Sequence, residues 1–172
     1  MTNTSPLSKN VLATTGVVAA AAIGFAGTDV SSRWFRSLKK PPFNPPDWVF
    51  PVAWNLLYAT IAGTTALTIR DLEEAESSDE ANGDDVSERD QYIALLATNL
   101  ALNATWPWIF HRAKALRTAT VVSAALTATA AELTRRTWRV NKTRGALLAA
   151  YPAWGTLATA LNVWITRENR SG

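Results

Sequence analysis

Five stretches of this chain contain no lysine, arginine, aspartate or glutamate: residues 10–28, 48–69, 91–110, 118–131 and 145–166. They hold 19, 22, 20, 14 and 22 residues, and all 31 charged side chains of the 172-residue sequence fall outside them. A helix crossing a bilayer needs about 20 such residues. A helix on the surface of a water-soluble bundle instead places charges on its outer face every three or four residues. The pattern therefore predicts an all-α fold, an integral membrane bundle of five transmembrane helices. Their expected extents are about 10–28, 48–69, 91–110, 118–134 and 145–166, in one domain covering 1–172. The fourth is taken on to residue 134 because one carboxylate, Glu132, is tolerable near the interface.

Mean hydropathy near zero would pass for a soluble protein, but it comes from alanine and threonine rather than from charge. Such residues serve where membrane helices pack closely and hydroxyls bond back to their own helix. Gly16, Ala20 and Gly24 recur every four residues in the first window. That stripe suits helix contact better than a cleaved secretory signal, which the apolar run after Lys9 could otherwise resemble.

The basic residues flank the windows in clusters: Arg33, Arg36, Lys39 and Lys40, then Arg112, Lys114 and Arg117, then Arg135, Arg136, Arg139, Lys142 and Arg144. This is the pattern of lipid headgroup contact and does not call for nucleic acid. Counted by side, eight basic residues oppose nine, so orientation is not fixed by charge. Residues 70–90 are acidic and poor in large apolar side chains, which predicts a mobile loop. Cysteine is absent, removing disulfides and thiolate chemistry, and the single His111 reads as an interfacial histidine rather than a metal ligand.

The segment KKPPFNPPDWVFPVAW places five prolines and two tryptophans in sixteen residues, immediately before and into the second window. Prolines ahead of a helix fix chain direction, Asp47 is suited to cap the helix, and Trp48 stands where an interfacial anchor belongs. The expected result is a rigid cover over one mouth of the bundle.

Helical spacing also predicts inward faces. Asn99, Asn103, Trp106 and Phe110 share one face of the third window; Trp54, Tyr58, Ile61 and Thr65 share one in the second; Trp154, Ala158, Leu161 and Asn162 share one in the fifth. Amides are costly against lipid, so these faces should point into the bundle. Trp48, Trp138 and Trp164 lie near window ends and fit the interfacial belt, whereas Trp54 and Trp154 lie deeper.

Three blocks carry a resemblance: RWFRSLKKPPFNPPDWVFPVAWNLLYATIAG, LALNATWPWIF and LLAAYPAWGTLATALNVWITREN. Together they resemble the tryptophan-rich sensory protein or TspO/MBR family, which includes the mitochondrial translocator proteins. The resemblance implies a five-helix membrane protein, often a homodimer, in the cell membrane of a prokaryote. It implies binding of porphyrin- or haem-type tetrapyrroles, or similar flat hydrophobic ligands, with no required cofactor or metal. The implied ligand-binding residues are Trp54, Asn103, Trp106, Trp154, Ala158 and Leu161, to which the facial spacing adds Tyr58 and Asn99. Partners are then membrane lipid and a hydrophobic small molecule, not nucleic acid.

Departures are visible as well. The tyrosine of the family's sterol motif aligns with Val163, although its basic partner survives as Arg167; a family proline is displaced to Pro51; and Ala104 and His111 replace aromatics. A receptor or sensor is the leading function. A light-dependent porphyrin-degrading enzyme, with Trp54 or Trp154 as electron or hydrogen donor, and a facilitative transporter of apolar ligands are the alternatives. The chain has no nucleophile–base pair for ordinary catalysis.

Overall fold

Threonines that dilute the apolar windows bond back into their own helices. Thr64, Thr65 and Thr68 donate to the carbonyls of Thr60, Ile61 and Thr64 at 2.7 Å, and Thr98, Thr105, Thr127 and Thr129 do likewise at 2.8–3.0 Å. A hydroxyl satisfied in this way can be buried without a partner on another helix. In the computed structural model, which describes residues 6–78 and 87–169 with side chains from residue 13 onward, no strand occurs among the described residues.

The helices are α1 (Pro6–Gly27), α2 (Arg33–Ser37), α3 (Val49–Ser78), α4 (Glu88–Pro107), a π-helical turn (Trp108–Arg112), α5 (Leu116–Val140), α6 (Lys142–Leu148) and α7 (Ala150–Glu168). α1 packs on α3 and α4, α4 packs on α5, α5 packs along α7, and α6 joins α5 to α3. By length and composition, α3 and the run Glu88–Arg112 are apolar enough to cross a membrane, and Ala13–Gly27 is apolar but shorter. Two windows, rather than five, thus pass that test; in α5 and α7 alanine, threonine and terminal arginines lower the mean hydropathy.

The Gly16/Ala20/Gly24 stripe faces α4. A methyl added at Gly24 would touch the Asn103 carbonyl oxygen and Pro107 Cγ at 3.7 Å, and one at Gly16 would touch Leu100 at 3.6 Å. Ala104 lies under the same contact, 3.9 Å from that position, so its small side chain lets α1 approach.

Two prolines shape the helices at their ends. Pro152 cannot donate to the Leu148 carbonyl and its ring crowds that group, which breaks the fifth window at Ala149 into α6 and α7. The freed carbonyl accepts from the Thr134 hydroxyl at 3.4 Å. Pro107 likewise removes a donor, and the helix widens into the π-helical turn immediately after it.

The expected loop at 70–90 differs in extent. α3 continues to Ser78 and α4 begins at Glu88, while 79–86 lies outside the described residues. The extra turns of α3 are held by ion pairs: Arg70 with Glu74 at 2.8 Å along the helix, Asp71 with Arg144 at 2.6 Å, and Glu76 with Arg89 at 3.3 Å.

Residues 28–48 fold across the end of the bundle formed by the C-termini of α1 and α7 and the π-helical turn. Ser32 caps α2 by accepting from the Phe35 amide at 3.2 Å. Trp34 and Phe35 then pack edge-on against Phe110, at 5.7 and 6.3 Å between centroids. His111 is buried under this cover, with its ring 5.1 Å from Phe35 and 5.0 Å from Phe110. Asp47 is exposed and lies 3.9 Å from Lys40, whose ammonium also sits 4.2 Å above the Phe35 ring. The Ser31 hydroxyl, assisted by Arg112 and nearby backbone amides, holds the Asp29 carboxyl below the usual carboxylate range. That contribution is present at neutral pH and is lost as pH falls through the lowered pKa.

Asn169 fastens this cover: its Oδ1 accepts from the Lys39 amide and its Nδ2 donates to the Lys39 carbonyl, both at 3.1 Å. Asn169→Ala removes both bonds, a loss of roughly 1 kcal/mol that should speed tryptic cleavage after Lys39 about fivefold. An unchanged cleavage rate would show that the clasp does not hold the segment.

Candidate functional site

Two rings on α3 begin the site. Trp54 and Tyr58, one turn apart, lie with centroids 5.5 Å apart and planes tilted by 30°. Phe50, one turn earlier, meets Trp154 of α7 edge-on at 5.7 Å. Trp54, Tyr58 and Trp154 are half-buried and pack against the core formed by α1, α3, α4, α5, α6 and α7.

From Tyr58 a chain of hydrogen bonds runs across the interior. The Tyr58 hydroxyl donates to Asn103 Oδ1 at 2.7 Å, Asn103 Nδ2 donates to the Tyr151 oxygen at 3.1 Å, and the Tyr151 hydroxyl donates to Asn99 Oδ1 at 2.9 Å. Asn99 Nδ2 completes it, donating to Thr129 Oγ1 at 2.8 Å and to the Leu126 carbonyl at 3.2 Å. Asn99, Tyr151 and Asn103 are 0%, 1% and 4% exposed, so an unpaired group anywhere in this chain would be costly.

The sense of the chain follows from its far end. The Leu126 carbonyl can only accept, so the amide nitrogen of Asn99 must face it and Asn99 Oδ1 must face Tyr151. Tyr151 must then donate to Asn99, which leaves its oxygen to accept from Asn103 and leaves Asn103 Oδ1 to accept from Tyr58.

The structure thus joins Trp54, Tyr58, Asn99 and Asn103 directly and brings Trp154 beside them through Phe50. Trp106 belongs to a neighbouring cluster: it stacks on Phe110 at 5.0 Å and 21°, and its indole N–H donates to the Ala119 carbonyl at 3.1 Å. Leu161 is buried and Ala158 half-buried on α7, where the Ala158 carbonyl accepts from Asn162 Nδ2 at 2.8 Å. Spacing alone missed Tyr151, Phe50 and Thr129. A signal for Tyr151 was present, because all three tyrosines of the chain lie within uncharged windows. Buried phenols need partners, and each of these makes a bond to another helix, Tyr92 with Thr137 at 2.8 Å.

Every residue of this site falls within residues 12–167, which match the TspO/MBR family. The chain belongs to that family. TspO/MBR relatives include the translocator protein of Ovis aries, 32% identical over 152 residues that cover 86% of this chain and 83% of the relative. The tryptophan-rich sensory protein of Cereibacter sphaeroides is 32% identical over 136 residues, covering 79% and 77%. Protein CrtK of Rhodobacter capsulatus is 31% identical over 153 residues, covering 88% and 89%. In this TspO/MBR chain the aromatic wall and the amide chain come from α3, α4 and α7, with α5 supplying the terminal acceptors.

Proposed function

We propose that this TspO/MBR protein crosses a prokaryotic cell membrane five times and is a receptor or sensor for a flat, mostly apolar ligand of the tetrapyrrole class. The observation that carries this reading is the half-buried Trp54–Tyr58 pair backed by a fully bonded amide chain. Aromatic faces suit stacking of such a ligand, and a small number of fixed polar groups orients it. Tyr58 is the only half-buried member of the Tyr58–Asn103–Tyr151–Asn99 series, so its hydroxyl is the group best placed to meet the polar edge of a ligand. Trp154 and Phe50 extend the apolar wall, with Ala158 and Leu161 on the adjoining turns of α7 and Trp106 one turn beyond Asn103.

Protoporphyrin IX titrated in the dark into detergent-purified protein should give saturable, micromolar quenching of tryptophan fluorescence. Trp154→Phe should weaken binding about fivefold, equivalent to roughly 1 kcal/mol of lost aromatic contact, with helical content unchanged. Trp48 is 68% exposed, and Trp48→Phe should leave affinity unaltered. A tenfold loss there, about 1.4 kcal/mol, would move the site to the rim. Absence of saturable binding would remove the tetrapyrrole reading.

One observation favours a second reading. Trp54 beside a hydrogen-bonded phenol offers two oxidisable rings in contact, so light-driven loss of the bound porphyrin spectrum, abolished by Trp54→Phe, would make the protein a photochemical enzyme.

A further inference from the structure

α5 and α7 are drawn together by hydroxyls: Thr120 with Thr166 at 2.8 Å, Ser123 with Thr159 at 2.9 Å and Thr127 with Thr159 at 3.0 Å. Gly155 allows the approach, since a methyl there would lie 2.7 Å from the Thr127 hydroxyl. Outside this seam the two helices leave a shallow groove of about 650 Å³ whose floor is alanine and threonine, including Ala124, Ala128 and Ala160, bounded at one end by Phe43, Trp164 and Arg167. At Ala131 it meets a second hollow of about 430 Å³, between Pro152 of α7 and Trp138, Arg135 and Arg139 of α5.

We propose that this continuous groove is a binding site for an anionic phospholipid, with the headgroup at Arg135 and Arg139 and one acyl chain laid along the alanine floor. Residues 124 to 139 of α5 span roughly 22 Å, more than the ~15 Å of one leaflet of hydrocarbon, so a chain can lie in the groove from the interface inward. Charge selects the headgroup. Arg139 has no ion-pair partner among the described residues, and Glu132, the carboxylate nearby, is already held by both Arg135 and Arg136. The end of the groove is therefore positive overall. Trp138, 47% exposed, is fixed at its rim by contact with Gly145 and matches an aromatic at the headgroup level.

A second copy of the chain is the less favourable occupant. A two-fold axis along the membrane normal would bring Arg135 and Arg139 of both copies to the same end, where like charges repel. The proposal rests on α5 being a membrane span, as in the function proposed above, but not on any tetrapyrrole.

The test uses the full chain in vesicles of phosphatidylcholine containing either dibrominated phosphatidylglycerol or dibrominated phosphatidylcholine. Fluorescence quenching assigned to Trp138 by comparison with Trp138→Phe should show about fivefold higher apparent affinity for the glycerol lipid, as expected for an arginine near an anionic headgroup. The preference should vanish in Arg139→Gln and in the Arg135→Gln/Arg139→Gln pair, and Ala128→Trp should abolish it by filling the floor. Equal quenching by the two lipids, or a preference surviving the double substitution, overturns the proposal. Quenching by neither lipid overturns it together with the membrane placement of α5. The chain has no native cysteine, so a disulfide-linked dimer formed by Ala128→Cys in the same vesicles would assign the groove to a second copy instead.

Discussion

Replacing Gly145 by leucine should lower the melting temperature of the detergent-purified protein by roughly 6–12 °C, the shift that about 3 kcal/mol produces in a chain of this size. A Cβ at this position would lie 2.6 Å from Trp138 Cα and 2.7 Å from Trp138 Cβ. These atoms belong to, or sit directly on, the backbone of α5, so rotation of a side chain gives no relief, and α6 must move off α5. Gly63 provides the contrast. A methyl there meets nothing within 4 Å, so Gly63→Ala should leave stability unchanged or raise it by up to about 1 kcal/mol. Thermal unfolding followed by circular dichroism separates the two; equal effects at Gly145 and Gly63 would mean that only helix propensity had been altered.

Asn99→Leu should cost about 2 kcal/mol. The substitution strips the Leu126 carbonyl and Thr129 of a donor and the Tyr151 hydroxyl of its acceptor. Counting a buried unpaired group at about 1–3 kcal/mol would give a larger loss, but hydrogen bonds between membrane helices average only about 0.6 kcal/mol because the displaced groups find other partners. Three lost bonds at that value set the figure. Tyr151→Phe should be smaller alone, and the double substitution should fall short of the sum because both remove the same contact. Strict additivity would show that the chain is not one connected unit.

Inward faces were legible because they depend on spacing within one helix. Asn99, Asn103 and Phe110 are buried on one side of α4 and its π-helical turn, and Ile61 and Thr65 are buried with the Trp54 face of α3. What stayed illegible depends on pairs far apart in sequence. The extra turns of α3 rest partly on Asp71 meeting Arg144, and the seam of α5 and α7 rests on Ser123 and Thr127 meeting Thr159. No local pattern announces either. The break before α7 is marked in the sequence by Pro152, although the absence of charge over 145–166 gives no sign of it. Trp106 shows the limit of a facial argument. It follows Asn103 on the same side of α4, yet its indole N–H is taken by the Ala119 carbonyl.

The fixed sense of the interior chain has a consequence for recognition. Since the Leu126 carbonyl, on the far side of the bundle, commits every amide and hydroxyl in turn, the proton of Tyr58 is already spent on Asn103. What Tyr58 can show an incoming molecule is a lone pair. A guest that brings an N–H or O–H to that oxygen leaves the relay whole, whereas one that brings only acceptors must reverse two amides at once or go without, so selectivity at the tryptophan wall is decided by a backbone atom that no guest touches.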